Sequence, residues 1–240
     1  MKTPIKRHAE QLEVRRTILD AARRLFIEGG YANVPIRQIA AAVDYSPAAL
    51  YRYFKTKDEI ISALKEEGFR LLMSRELLPR HPSEPSPIER LRHFFWGVYD
   101  FAKLYPEYFY LMFLDRSTPR APRQSPALRV VREMYAHVGE LLEECVEAGD
   151  VMPGLDPVTV YNVLVWSVHG IAAGYVCDRL AEGTDPDALA HAVLDTAIAG
   201  IRSGALAGIN TAMRHHSKAR PQARHPRGRN PRRGKHARPS

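Results

Sequence analysis

Residues 46–59, SPAALYRYFKTKDE, carry side chains suited to contact with a nucleic acid. Tyrosine hydroxyls and the charges of lysine and arginine bind phosphate oxygens, whereas a small apolar tip can approach base edges in a groove. Ala48 and Ala49 supply such a tip. The donors around it are Tyr51, Arg52, Tyr53, Lys55 and Lys57. The segment therefore predicts a helix that inserts into a DNA groove.

Two helix starts position these side chains. Ser46 precedes Pro47; a serine hydroxyl can accept from a free backbone N–H, and proline needs no donor at the first helical position. Thr56 and Glu59 form a capping box, in which each side chain satisfies a backbone donor of the new helix. We therefore expect a short helix that begins at Ser46 and breaks after Phe54, followed at once by a second helix.

Two amphipathic helices are predicted before this stretch. The first runs from about Glu10 to Glu28 and ends at glycines 29 and 30, as helices often do. Its apolar stripe consists of Ile18, Ala21, Ala22, Leu25 and Phe26. A shorter stripe consists of Ile36, Ile39, Ala40 and Val43. Only Asp44 and Tyr45 separate the second helix from Ser46, which predicts a helix-turn-helix.

Helical periodicity also dominates the rest of the chain, and no alternating strand pattern stands out. A long helix is expected from Lys57 to about Leu78. The later helices are expected at Ile88–Leu104, Glu107–Leu114, Leu128–Ala148, Pro157–Leu180 and Asp185–Ser203. The fold class is therefore all-α: an N-terminal helix-turn-helix domain over residues 1–60, joined by a long helix to a larger helical domain over residues 61–213.

The charge of the chain is unevenly distributed, although its net value is +8. Residues 1–60 hold eleven Lys and Arg against seven acids, and residues 61–213 hold fourteen against twenty. Residues 214–240 contain ten Lys and Arg and no acid. Basic ends suit a polyanionic partner, whereas an acidic middle argues against contact over the whole surface.

The basic segment 214–240 has almost nothing to bury, and we predict a disordered tail there. Two roles stay open for it: a solvated terminus, or an arm that binds phosphate without sequence preference. The two cysteines, Cys145 and Cys177, show no disulfide or zinc spacing. With no signal peptide or membrane-spanning run evident in the sequence, a cytoplasmic protein is expected.

Residues 15–61 resemble the N-terminal domain of the TetR family of bacterial transcriptional regulators. The resemblance rests on ILDAA, LF, G and Y near the start, Ile39-Ala40, and then SPxxLYRYFKxKDE. Residues 166–170, WSVHG, are similar to the W-x-x-H-G signature of one subgroup of C-terminal domains. This resemblance implies a homodimer that binds a palindromic operator and releases it when a small molecule enters the C-terminal domain. It also implies dimerisation through the last two helices as a four-helix bundle.

Residue roles follow from matching positions. Tyr51, Tyr53 and Lys57 match phosphate contacts, whereas Arg37, Pro47, Ala48 and Ala49 match positions that face base edges. Arg37 and Arg52 can fork onto a guanine and are the expected direct readers. Three departures from the family pattern concern geometry: Asp44 replaces a turn glycine, Tyr45 replaces a smaller aliphatic residue, and Val34-Pro35 replaces a threonine cap. Tyr51 has an alternative role as a buried brace.

The predicted second domain is rich in aromatic residues, which form either a core or a cavity lining. The candidate effector-pocket residues are Trp96, Tyr99, Tyr110, Phe113, Trp166, His169 and Tyr175. His169 has a competing interpretation as a core histidine with a satisfied hydrogen bond. The expected effector is small and apolar, and no other cofactor or metal is expected.

Three functional classes are compatible with these sequence features. The leading one is a sequence-specific DNA-binding regulator, a repressor controlled by a small molecule. The alternative is a nonspecific or architectural nucleic-acid binder driven by the basic tail, which would show little preference for a palindrome. A helical enzyme is the least favoured class, because no catalytic motif or phosphate loop is present.

Overall fold

A computed structural model describes residues 4–74, 86–119 and 125–207. Within these ranges the regular structure is helical throughout, which confirms the all-α prediction. The helices are α1 (Pro4–Gly29), α2 (Ile36–Ala42), α3 (Pro47–Leu50), α4 (Lys57–Leu72), α5 (Pro87–Leu104), α6 (Pro106–Phe109), α7 (Pro126–Glu147), α8 (Pro157–Val176) and α9 (Pro186–Arg202). A π-helical turn, Tyr110–Leu114, continues α6. The predicted tail, 214–240, lies outside the described residues.

The predicted helix starts at Ser46 and Thr56 are confirmed. The Ser46 hydroxyl accepts from the Ala49 N–H at 3.2 Å, and the Thr56 hydroxyl accepts from the Glu59 N–H at 3.1 Å. The reciprocal half of the capping box differs, because the Glu59 carboxylate accepts from the N–H of Lys55 instead of that of Thr56. Both ends of the short connection between α3 and α4 are nevertheless fixed by local hydrogen bonds.

The turn between α2 and α3 has the positive φ expected at the position where the family pattern has a glycine. Asp44 has φ 57°, the left-handed conformation usually left to glycine, and aspartate tolerates it better than most residues. The Tyr45 N–H then donates to the Ala40 carbonyl at 2.9 Å. As predicted, α2 begins after Pro35 without a side-chain cap.

Several helix limits differ from the prediction. Helix α1 begins at Pro4, earlier than Glu10, because nothing between them breaks a helix. Helix α4 ends at Leu72 instead of Leu78. Helix α8 ends at Val176 instead of Leu180: Asp178 turns the chain with φ 51°, and the Leu180 side chain folds back onto Gly174, where a Cβ would lie 2.7 Å from it.

One hydrophobic core with two parts holds the fold together. In the first, Ile18 and Phe26 of α1 pack with Leu50 and Phe54, both of which are fully buried as predicted. In the second, α8 packs against α5 and α9, and α5 also packs against α7. Many aromatic residues of the second domain belong to this part of the core: the buried ones include Phe94, Phe95, Tyr99, Phe101, Tyr108 and Phe109. None of the described helices has the length and apolarity needed to cross a membrane.

Candidate nucleic-acid interface

The start of α3 forms an exposed tip. Ser46, Pro47 and Ala48 are exposed, and Ala49 is half-buried. The side chains of Arg37, Arg52 and Lys55 are exposed beside this tip, on α2 and just after α3. Because Leu50 and Phe54 anchor the other face of the helix, the small residues face outward. This is the arrangement of a small apolar tip and flanking donors that base and phosphate contact requires.

The two tyrosines after the tip differ in their surroundings. Tyr51 is 43% exposed, which disfavours its alternative role as a buried brace. Tyr53 is half-buried, and its ring lies 6.3 Å from that of Tyr45 between centroids. Tyr45 therefore packs beside Tyr53 in the turn that leads into α3. The phosphate roles of both tyrosines stay predictions.

The Lys57 ammonium is hydrogen-bonded to the turn between α1 and α2. It donates to the carbonyls of Tyr31, Ala32 and Val34 at 2.7, 3.4 and 3.1 Å, and it lies 4.2 Å from the centroid of the Tyr31 ring. An ammonium has three donors, and these contacts use all of them. The predicted phosphate contact of Lys57 would therefore require one of these bonds to be given up.

Sequence reasoning missed a cleft beside α3. Gln11, Arg15, Arg52 and Tyr53 line a space of about 340 Å³. The Arg15 guanidinium donates to the Tyr53 carbonyl at 2.5 Å and lies 4.1 Å above the Phe54 ring, so α1 fixes a positive charge next to the predicted interface. The only sequence signal was a basic residue three positions before Ile18, at the edge of the α1 stripe. That signal does not show that Arg15 of α1 lies beside the end of α3.

The segment after the π-helical turn contacts the α1–α2 turn. The backbone N–H of Tyr31 donates to the Asp115 carboxylate at 3.2 Å, and that of Ala32 donates to the Ser117 hydroxyl at 3.2 Å. Burial acts to raise the pKa of Asp115, but hydrogen bonds from Ser117 and Tyr31 and the charge of Lys65 outweigh it, so the pKa is lowered. A charged acceptor from the second domain thus holds the turn that precedes α2.

A residue at the start of α4, Asp58, also holds this turn. The Tyr31 hydroxyl donates to the Asp58 carboxylate, and the pKa of Tyr31 is raised by burial and by this hydrogen bond. On the other side, the Lys65 ammonium donates to the Thr118 hydroxyl at 2.8 Å. The α1–α2 turn is therefore a junction between α4 and the segment that follows the π-helical turn.

Six of the seven predicted effector-pocket residues fall into two groups, and Tyr110 belongs to neither. In the first group, Phe113 lies 4.7 Å from His169 and Trp166 lies 5.3 Å from it, between ring centroids. The buried His169 holds the Val165 carbonyl through Nδ1 at 2.8 Å, and burial lowers its pKa to about 4, so the ring is neutral near pH 7. Tyr110 is half-buried against the core.

The second group surrounds Tyr99. Its hydroxyl donates to Asp187 at 2.8 Å, and Lys103 donates to the same carboxylate at 2.7 Å. Trp96 stacks on His191 with ring centroids 3.7 Å apart. Tyr175, which is 40% exposed, is close enough for its hydroxyl to contribute to the raised pKa of Tyr99 after burial and Asp187. The binding role of both groups stays a prediction.

These features define a protein in which an N-terminal helix-turn-helix domain is hydrogen-bonded to a larger helical domain. Residues 18–64 match the family model of the bacterial regulatory proteins, tetR family. The match confirms, for this N-terminal domain, the resemblance found in the sequence.

Individual proteins extend the comparison. The transcriptional repressor KstR of Rhodococcus jostii (strain RHA1) is 39% identical over 82 residues, which are 34% of this chain and 37% of KstR. This chain therefore spans little more than a third of that relative. The transcriptional regulator FadR of Bacillus subtilis, solved with stearoyl-CoA, has a TM-score of 0.63 at 18% identity and covers 78% of this chain and 98% of its own. AibR, solved with isovaleryl coenzyme A and operator DNA, has a TM-score of 0.59 at 19% identity and covers 76% and 96%.

Proposed function

We propose that this protein is a sequence-specific transcriptional regulator, a repressor that a small apolar molecule releases from a palindromic operator. The observation that carries this proposal is the exposed tip of α3, capped by Ser46 and flanked by Arg37 and Arg52. Such a tip enters the major groove, where arginine can read guanine. KstR, which is 39% identical over 82 residues, is named a repressor. The protein acts by binding and not as an enzyme, and it works on DNA in the cytoplasm.

The same proposal includes a homodimer formed through α8 and α9. Helix α8 is apolar along most of its length, yet Trp166 is 64% exposed and Val158 is also exposed. Helix α9 exposes the small residues Ala188, Ala192 and Ala199, which allow close helix packing. An exposed apolar face of this kind marks an interface, and a two-fold protein suits a two-fold operator. Trp166 then has two competing roles, at the interface or beside His169.

The proposed effector carries an apolar chain that contacts the Phe113 and His169 group. A neutral histidine among aromatic rings suits an apolar group and offers one polar atom for orientation. FadR and AibR, which share the fold, were solved with acyl-CoA molecules, whose acyl chains are of this chemistry. We therefore propose an acyl thioester or a molecule of similar apolar character as the effector.

The π-helical turn offers a route from this group to the DNA-binding domain. Phe113 contacts His169, and Asp115, two residues later, accepts from the Tyr31 N–H. A ligand that displaces Phe113 would shift Asp115 and with it the turn before α2. The effector then favours an arrangement whose two recognition helices no longer fit successive major grooves. Operator and effector must weaken each other by the same factor.

Selection of bound sequences from random duplex DNA, with the full chain at fixed salt, tests the proposal. We expect enrichment of two inverted half-sites about one helical turn, or a multiple of it, apart. The Arg37→Ala variant should lose the preference at one position in each half-site. Recovery of unrelated sequences would instead support the nonspecific binder driven by the basic residues 214–240.

A further inference from the structure

A surface groove lies between the C-terminal half of α7 and the loop that leads into α8. Its volume is about 430 Å³. The buried or half-buried side chains of Leu142, Val146 and Leu155 give it an apolar floor, and the exposed side chains of Glu143 and Glu147 stand at its edge. The groove therefore suits an apolar segment that also carries positive charge.

The two glutamates at the edge are electrostatically uncompensated. They lie four residues apart on one helix, a spacing at which like charges repel. They also lie near the C-terminal end of α7, where the helix dipole disfavours negative charge, and the last turn contains no basic residue. In the described ranges neither forms an ion pair, whereas the neighbouring Glu144 pairs with Arg90. A cationic group bound at this edge would relieve both unfavourable terms.

The chain leaves the second domain beside this groove. Arg202, the last residue of α9, pairs with Asp150 at 3.4 Å. Gly204 packs so closely on Met152 that a Cβ there would lie 2.5 Å from its sulfur, and the next residue, Pro153, lines the groove. Leu206 is buried. The described part of the chain therefore ends, at Ala207, close to the loop that lines the groove.

The sequence that follows has the composition that the groove requires. Residues 208–218 read GINTAMRHHSK, with two large apolar side chains at Ile209 and Met213, then Arg214 and Lys218, and no acid. We propose that this segment of the chain occupies the groove, with Ile209 and Met213 on the apolar floor and Arg214 and Lys218 beside Glu143 and Glu147. Eleven extended residues span up to about 40 Å, so the segment reaches the groove easily.

Docking gives the first part of the basic segment a role that differs from both a solvated terminus and a phosphate-binding arm. The Arg90–Glu144 pair places the groove near the start of α5, whereas the contacts to the α1–α2 turn follow the end of α5. Segment 208–218 would thus be held at the end of the second domain that faces away from those contacts. The basic residues after Lys218 would then be tethered there. Their binding to DNA phosphates would compete with docking of segment 208–218.

Limited trypsin cleavage of the full chain tests the proposal. When docking and release are fast, the cleavage rate reports the undocked population. We expect cleavage after Arg214 and Lys218 to be slower than cleavage after Arg224 and Arg229 in the same molecule. In the Glu143→Gln/Glu147→Gln variant, cleavage after Arg214 and Lys218 should accelerate roughly fivefold, the size expected for two exposed ion pairs. Cleavage after Arg224 and Arg229 should not change.

The Glu133→Gln/Glu140→Gln variant is the matched control, because it removes the same charge from the same helix outside the groove. It should leave all four cleavage rates unchanged. Equal cleavage at the four sites of the unaltered chain would overturn the proposal, as would an equal acceleration in the control variant. Protection that increases with protein concentration would place the segment of a second copy in the groove and would overturn the assignment to the same chain.

Discussion

The DNA-binding region and the aromatic region of the second domain were both assigned residues from sequence, and they are built differently. The residues predicted to face DNA come from one stretch between Arg37 and Lys57, and most are exposed beside one short helix. The aromatic residues come from α5, the π-helical turn and α8, and they fall into two groups. A surface that contacts a long polymer can be made from adjacent residues, whereas a cavity needs helices that are distant in sequence.

The two regions also differ in how they hold ionisable groups. Arg37, Arg52 and Lys55 remain in water, so their charges are available to a partner. His169 is buried among rings, and the lowered pKa of about 4 keeps it neutral. This contrast predicts that a falling pH destabilises the second domain first.

The largest predicted effect is acid destabilisation through His169. An unfolded histidine takes up a proton near pH 6.5, whereas the folded His169 does so only near pH 4. The unfolded state therefore binds more protons in this window, and the contribution to stability, complete above pH 6.5, is lost as pH falls to about 4. The loss is roughly 3 kcal/mol. Denaturant unfolding of the full chain between pH 7 and pH 4 measures it.

The control is His169→Gln, which keeps a donor for the Val165 carbonyl but cannot titrate in this range. Its unfolding free energy should be lower at pH 7 and should fall less steeply toward pH 4. If the variant and the unaltered chain show the same slope, His169 is not the group that makes the second domain sensitive to acid.

The next effect concerns base reading by Arg37. Arg37→Ala should weaken binding to the selected operator by about 2 kcal/mol, or about 30-fold, because a bidentate contact to guanine is lost. Binding to random duplex should change much less. Competition between labelled operator and unlabelled random DNA at fixed salt measures the ratio.

Arg24→Ala removes the same charge from an exposed position on α1 and serves as the control. It should lower operator and random binding by similar small factors. A loss of specificity equal to that of Arg37→Ala would mean that net charge, and not base contact, accounts for the effect.

Local signals explain why the helix starts and the turn of the helix-turn-helix could be predicted from the sequence. The caps at Ser46 and Thr56 and the turn at Asp44 depend on neighbours within a few residues, and helical spacing alone places Leu50 and Phe54 on one face. The second domain offered fewer such signals. The shortened end of α8 depends on Leu180 folding onto Gly174, and the exposure of Trp166 depends on which helices cover α8.

The junction between the regions was not predicted, because its partners are far apart in sequence. Asp115 and Tyr31 are 84 positions apart in the sequence, and Ser117 and Ala32 are 85 positions apart. A lysine such as Lys57 at a helix start resembles a phosphate ligand in sequence, although in the structure it binds three carbonyls. Charge alone does not reveal whether a cation already has acceptors.

The third prediction tests this junction. Asp115→Ala removes the acceptor of the Tyr31 N–H, and loss of one hydrogen bond to a charged group costs about 1.5 kcal/mol. We expect amide hydrogen exchange at Tyr31 to accelerate about tenfold. In Ser117→Ala the acceleration should appear at Ala32 instead. Unchanged exchange at both amides would show that the two domains are not coupled through this turn.

The smallest predicted effect separates phosphate contact, which positions the protein on DNA, from base reading. Tyr51→Phe removes one exposed hydroxyl without changing charge, so a lost phosphate contact should cost about 1 kcal/mol, or about fivefold in affinity. Because phosphates carry no sequence information, operator and random duplex should weaken equally, unlike the result for Arg37→Ala. Tyr45→Phe, in the turn before α3, is the control and should leave both affinities near their original values. Full affinity of Tyr51→Phe for both DNAs would remove Tyr51 from the interface and leave phosphate contact to Arg52, Lys55 and the Arg15 cleft.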